Sequence, residues 1–157
     1  MTAISIGQVV PDFAAQATGD KTIHLSDYRG QFVLLYFYPK DNTAGCTGQA
    51  QGFRDAYAQF TAFNTVVLGV SRDSVRSHDN FKAKHELPFD LIADTEEQLC
   101  QLFDVIKMKM MYGKQVRGIE RSSFLINPDG VLIKEWRKVK VKVHGDEVLQ
   151  ELLSLQK

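Results

Sequence analysis

The stretch "QFVLLYFYPKDNTAGCTGQAQGFRD", residues 31–55, carries the information that decides the fold. Its opening run, 31–38, is almost continuously apolar and closes on Pro39. A strand with no polar alternation is one buried on both faces, and such strands belong to parallel sheets covered by helices. Beyond the proline the period changes. Ala50, Phe53, Tyr57 and Phe60 follow Cys46 at steps of four, three, four and three, so all five share one face of a helix. A cysteine therefore stands where a buried strand hands over to a helix. It is either the small apolar start of a core stripe or a thiol aimed by the helix end.

Outward from this stretch, "TVVLGVS" (65–71) and "FDLIAD" (89–94) read as further buried strands. Helical patterns cover 45–62, then 74–86 after Ser71 and Asp73, then 95–106 with Asp94 as its N-cap. Strands alternating with helices predict parallel βαβ units. The second half differs: "SSFLI" and "VLIKEW" flank the turn sequence "NPDG" and predict a hairpin. The amphipathic "GDEVLQELLSLQ" closes the chain as a helix. A βαβ half followed by a ββα half is the plan of the thioredoxin-like fold, an α/β class with a mixed central sheet flanked by helices. No repeat or linker divides the chain, so a single domain over 1–157 is expected. The alternating "RKVKVKVHG" (137–145) reads as an extended edge segment guarded by lysines, with a patch for an anionic partner as its alternative. "KMKMMYGK" (107–114) reads as a mobile connection, its methionines loose packing rather than a cofactor box.

Composition narrows the function classes. With 44% hydrophobic and 24% charged residues, 157 residues suffice for one packed core. Lys+Arg and Asp+Glu both number 19, so net charge recruits neither nucleic acid nor a membrane surface. No apolar run approaches the roughly 20 residues of a membrane span, and "MTAISIGQVVPDF" lacks the pattern of a secretory signal. Two cysteines and four scattered histidines make neither a disulfide framework nor a zinc spacing, and no cofactor motif is present. The expectation is a soluble cytoplasmic protein with reduced thiols.

Three features favour chemistry at Cys46. A thiol in the first helical turn lies near unpaired amides and the positive end of the helix dipole, which favours the nucleophilic thiolate. In "PKDNTAGC" a hydroxyl, Thr43, precedes the thiol by three residues, and Gly45 lets the backbone approach a small oxygen-containing substrate. Arg121 in "GIERSSFLI" stands just before a strand that can lie beside the one leading to Cys46, where its cation would support the thiolate. Its bland alternative is a surface ion pair with Glu120 or Glu135. Some chemistries drop out. Thr43 and Gln49 exclude a Cys-x-x-Cys pair, Gly52 excludes a Cys-x5-Arg phosphate cradle, and no histidine stands in an acyl-transfer signature.

"PDF", "LSDYRGQFVLLYFYPKDNTAGCT", "GFRD", "LGVS", "YGK", "GIERSSFLI" and "DEVLQEL" occur in the order and spacing of peroxiredoxins. Over essentially the whole chain the sequence most resembles the bacterioferritin comigratory protein (PrxQ) subfamily. The resemblance implies a thioredoxin fold and thiol-dependent reduction of hydrogen peroxide and organic hydroperoxides. It implies Cys46 as the peroxidatic cysteine, Thr43 and Arg121 as its activating partners and Pro39 as the shield of the pocket, with Gly45 in the substrate loop. Thioredoxin or glutaredoxin/glutathione would be the reductant, and a monomer is expected before a dimer. Two positions depart from the pattern. Ala44 replaces the usual proline, and Gln51 stands where many members carry a resolving cysteine. The remaining thiol, Cys100, shares a helical pattern with Leu99, Leu102, Phe103 and Ile106. It is either a core residue or a distant resolving cysteine; without it the enzyme works by a 1-Cys mechanism with an external thiol. A peroxide sensor or holdase is the rival from another class, and an unreactive scaffold the third reading. The set Thr43, Cys46 and Arg121 favours the enzyme.

Overall fold

The computed structural model describes residues 3–156, so Met1, Thr2 and Lys157, the ends of the single-domain reading, lie outside it. Its elements run β1 (Ala14–Ala17), β2 (Lys21–His24), β3 (Phe32–Phe37), α1 (Ala44–Asp55), α2 (Tyr57–Ala62), β4 (Thr65–Ser71), α3 (Val75–His85), β5 (Leu91–Ala93), α4 (Gln98–Leu102), β6 (Ile106–Met111), β7 (Lys114–Ile119), β8 (Ser122–Ile126), β9 (Leu132–Trp136) and α5 (Val141–Leu155). Seven strands form one sheet in the order β2-β1-β5-β4-β3-β8-β9. The apolar run at 32–37 lies inside this sheet, parallel to β4 on one side and antiparallel to β8 on the other. The mixed sheet flanked by helices is the thioredoxin-like arrangement expected from the sequence.

Because side chains alternate along a strand, β3 feeds two cores. Val33, Leu35 and Phe37 join one cluster, which also holds Cys100, Phe103 and Phe124. Leu34, Tyr36 and Tyr38 join the other, with Cys46, Phe53 and Phe60. Gly69 on β4 pairs with Tyr36, and a Cβ there would fall 2.9 Å from the tyrosine ring and 2.7 Å from Leu91. Only glycine leaves room for that ring. The expected hairpin is present: the Asn127 side chain accepts from the amides of Asp129 and Val131, and Gly130 takes the left-handed turn position at φ 86°.

Several expectations are corrected. The helix over 45–62 breaks at Ala56 into α1 and α2, which bends the chain back toward β4. The helix over 95–106 shrinks to α4, entered through a left-handed Glu97 and left through a left-handed Asp104. Asp94 still serves that start, accepting from the amides of Leu99 (3.0 Å) and Cys100 (2.8 Å). Residues 107–114 are not a loose connection: β6 and β7 form a separate antiparallel ribbon, turned by left-handed Tyr112 and Gly113. Positive φ at both turn residues matches the twist of a two-residue hairpin. Nor is 137–145 an edge segment. β9 ends at Trp136 and α5 begins at Val141, because His144, Val148 and Leu152 supply a buried face at helical spacing that outweighs the short Lys–Val alternation. Strands β1 and β2, four residues each, carry too short a pattern to be read and were not expected. Among the described residues no helix is long and apolar enough to cross a membrane.

Candidate active site

The site begins where β3 ends. Half-buried Pro39 stops the strand, and the next residues form a loop pinned from beneath by Asp41. The Asp41 amide donates to Asp73 (2.9 Å). Its buried carboxylate accepts from Tyr38 Oη (2.6 Å), Ser77 Oγ (2.8 Å) and His78 Nδ1 (2.7 Å). The other ring nitrogen of His78 faces the carbonyl of Ile92 at 2.9 Å, so the imidazole meets an acceptor at each end and is fully buried. Burial works to raise the Asp41 carboxyl, but the hydrogen bond and charge of His78, with the hydroxyls of Tyr38 and Ser77, hold it below the usual carboxylate range. Asp41, Asp73 and His78 are the one trio among the described residues close enough to share a metal ion. Each already bonds within the protein, which describes a structural clamp.

Asn42, at φ 64°, turns the pinned loop into Thr43, the N-cap of α1. The Thr43 hydroxyl does not cap the helix; it donates back to the Lys40 carbonyl at 3.1 Å and is exposed. The Thr47 amide makes the first bond into the helix, to the carbonyl of Thr43. The amides of Gly45 and Cys46 therefore precede the intrahelical ladder.

Cys46 lies in this first turn with 2% of its surface exposed. Arg121 reaches it because Ser122, the first residue of β8, pairs with Phe37, the last of β3. One guanidinium nitrogen approaches Cys46 Sγ at 3.3 Å, and the other donates to Gln49 Oε1. The ion pairs weighed for Arg121 are not formed; Glu135 pairs with Arg137 instead. Gly45 helps: a Cβ there would come within 3.4 Å of the guanidinium. A cation beside sulfur stabilises negative charge on it, and a guanidinium carries further N–H donors beyond the two engaged here.

Of the residues expected at the site, Cys46, Arg121 and Gly45 come together. Thr43 stands at the helix entrance with its hydroxyl on Lys40, and Pro39 lies at the end of β3. Cys100 lies apart, fully buried in the core on the opposite face of the sheet. Burial, reinforced by the Asp94 carboxylate, pushes its thiol well above the ordinary range. Sequence reasoning missed Gln49. It is 3% exposed, and its Nε2 has no hydrogen-bond partner. The available signal was a polar residue one turn after Cys46 beside an apolar stripe. The Asp41–His78 clamp was also missed, because its members come from four separate segments.

A thiol in the first turn of a helix, on a thioredoxin-like sheet and beside an arginine fork, defines a thiol-dependent peroxidase. Residues 6–135 match the AhpC/TSA family model. The chain belongs to the AhpC/TSA family, within its Bcp/PrxQ peroxiredoxins. It is 52% identical over 149 residues to Peroxiredoxin Bcp of Bacillus subtilis, an alignment covering 95% of each chain. A cysteine-to-serine mutant of Xylella fastidiosa PrxQ superposes with a TM-score of 0.94 at 43% identity over 100% of both chains. The Xanthomonas campestris bacterioferritin comigratory protein, solved as trapped intermediate/ligand complexes that bear on its alkyl peroxide reduction, has a TM-score of 0.88 at 47% identity, covering 92% of each chain.

Proposed function

We propose that Cys46 is the peroxidatic residue of a cytoplasmic, single-domain, monomeric enzyme that reduces hydrogen peroxide and organic hydroperoxides and is recycled by an external thiol. The observation that carries this reading is the Arg121 fork, shared between Cys46 Sγ and Gln49. The thiolate attacks the terminal oxygen of the hydroperoxide and the O–O bond breaks. Sulfur keeps that oxygen as sulfenic acid, and the alkoxide or hydroxide leaves and takes up a proton as alcohol or water. Arg121 and the free amides of Gly45 and Cys46 donate to the oxygens as charge moves along the bond. Thr43, whose proton is engaged by Lys40, offers its lone pairs to the peroxide hydroxyl. Pro39 walls the entrance. The alkyl peroxide activity of the Xanthomonas relative supports the organic substrates.

Recycling is where this chain differs from its group, whose members are typically atypical 2-Cys enzymes. Position 51 is glutamine, and Cys100 lies across the sheet with its thiol held protonated. The sulfenic acid therefore persists until thioredoxin or glutaredoxin/glutathione attacks it, a 1-Cys mechanism. One equivalent of peroxide followed by a sulfenic-acid trap and intact-mass analysis is expected to give a single adduct at Cys46. A prompt Cys46–Cys100 disulfide, within or between chains, overturns the 1-Cys reading.

A further inference from the structure

The link from β9 to α5 borders the site. The Val139 amide donates to the Arg121 carbonyl at 3.0 Å. Two residues on, Val141 and Lys142 join Gln49 and Phe53 in lining a cleft of about 320 Å³ between α1 and α5. The segment therefore runs along the outside of the Arg121–Gln49 pair. Between Arg137 and Val143 it carries four cations and no acid, and Arg137 is paired with Glu135. Lys138, Lys140 and Lys142 are exposed, and among the described residues none forms an ion pair. Asp55 and Asp146 line the same cleft, so the local excess of positive charge sits on Lys138 and Lys140 just outside it.

A second element adjoins it. In the β6–β7 ribbon Lys107 pairs with Asp104 and Arg117 with Glu97, while among the described residues Lys109 and Lys114 form no ion pair, and Met108, Met110 and Tyr112 are exposed. Arg137 ties the two together by donating to the carbonyls of Phe103 (2.9 Å) and Asp104 (2.6 Å), just before the ribbon. The ribbon returns directly into Arg121, with the Glu120 amide on the Val105 carbonyl at 2.7 Å. The unpaired lysines are spread along two elements and do not converge on one point, as capture of a small anion requires; the ribbon adds exposed apolar side chains. They suit a broad, acidic protein surface with an apolar centre.

We infer that this rim docks an acidic protein dithiol that recycles Cys46. The inference rests on the external-thiol reading above. One partner thiolate attacks the Cys46 sulfenic sulfur, forming a mixed disulfide as hydroxide leaves and is protonated to water. The second partner thiol then displaces Cys46 thiolate, and the partner departs oxidised by two electrons as a disulfide.

The test uses K138E/K140E/K142E, with M110E/K114E on the ribbon as a second variant should the first fail to fold. Turnover is measured with an acidic thioredoxin and, separately, with dithiothreitol, across a salt series. For wild type, kcat/KM for the thioredoxin is expected to fall with salt. Either variant is expected to lose at least about tenfold at low salt and most of the salt dependence, with dithiothreitol-supported turnover and the single-turnover peroxide step within about twofold of wild type. Unchanged thioredoxin kinetics overturn the inference. So do equal losses with both reductants, since the rim would then act on the peroxide chemistry. Charge-dependent binding to phosphatidylglycerol vesicles with thioredoxin kinetics intact also overturns it. A wild-type Cys46–Cys100 disulfide would sink only the external-thiol reading; thioredoxin would have to dock to reduce that bond, so the rim is still tested.

Discussion

At the scale of single residues, Arg121 does two things that a lysine cannot. Its two terminal nitrogens hold Cys46 and Gln49 at once, which fixes the guanidinium over the sulfur. Arg121→Ala is expected to slow the single-turnover peroxide step by about 10²–10³, the usual cost of one preorganised donor. Arg121→Lys should recover little of that, because a single ammonium cannot serve both partners; full recovery would reduce the role of the fork to charge alone. The hydroxyl of Thr43 makes a separate case. With its proton on Lys40, it can only accept from the substrate, so Thr43→Ser should keep most of the rate and Thr43→Val should lose about tenfold or more in stopped-flow assays with hydrogen peroxide. A wild-type rate in Thr43→Val removes the hydroxyl from the mechanism. The meeting of Cys46 and Arg121 was legible in the sequence, the thiol from its place at a helix start and the arginine from its place before a strand that can lie beside β3. Gln49 was not, since a glutamine on a helix is ordinary until an arginine from 72 residues away is seen to rest on it.

At the scale of elements, the strand–loop–helix handover depends on the clamp under its loop. Asp41 belongs to the loop, Tyr38 follows β3, Ser71 and Asp73 close β4, and Ser77 and His78 come from α3. No periodicity in the sequence announces a network assembled from such separate segments, whereas the strands and helices it joins were legible as apolar runs and stripes. The sequence misled where two periods competed, at the Lys–Val run that begins α5, and where elements were too short to show a period, at β1 and β2. His78→Ala leaves the buried Asp41 carboxylate without its imidazole hydrogen bond and is expected to cost about 3 kcal/mol in urea unfolding at neutral pH. The sign of the acid dependence follows from the lowered Asp41 carboxyl. A folded pKa below the unfolded one stabilises fully above the unfolded value, about 3.9, and the gain disappears as pH falls through the folded value. The stability gap between wild type and Asp41→Asn should therefore shrink as pH falls below about pH 4. A gap that widened in acid would contradict the clamp.

At the scale of the whole molecule, one sheet separates the two thiols. Alternate residues of β3 face two cores, and the two thiols lie in different ones. A disulfide needs Cα atoms within about 7 Å and converging Cβ vectors, so Cys46 and Cys100 cannot meet while β3 separates them. The other place for a partner is α1 itself, at Gln51, whose amide now lies 3.5 Å from His85 on α3. Five residues along a helix advance about 7.5 Å and turn about 140° past a full turn, so a thiol at 51 must unwind the helix start to reach Cys46. Thr43 does not cap the beginning of α1, which lowers the cost of such unwinding; the Arg121–Gln49 bond opposes it, and Arg54 farther along is anchored to the His85 carbonyl at 2.9 Å. Gln51→Cys treated with one equivalent of peroxide is accordingly expected to form a 46–51 disulfide, seen by peptide mapping. It should lose about one to two turns of helix by circular dichroism, in line with the unwinding that geometry requires, and turn over faster with thioredoxin than wild type. Excess peroxide should drive wild type on to sulfinic acid and spare the variant, because a disulfide withdraws the sulfenic acid from further oxidation. Should the Gln51→Cys protein keep its sulfenic acid as long as wild type does, the helix start is rigid, and recycling has to occur on the folded site.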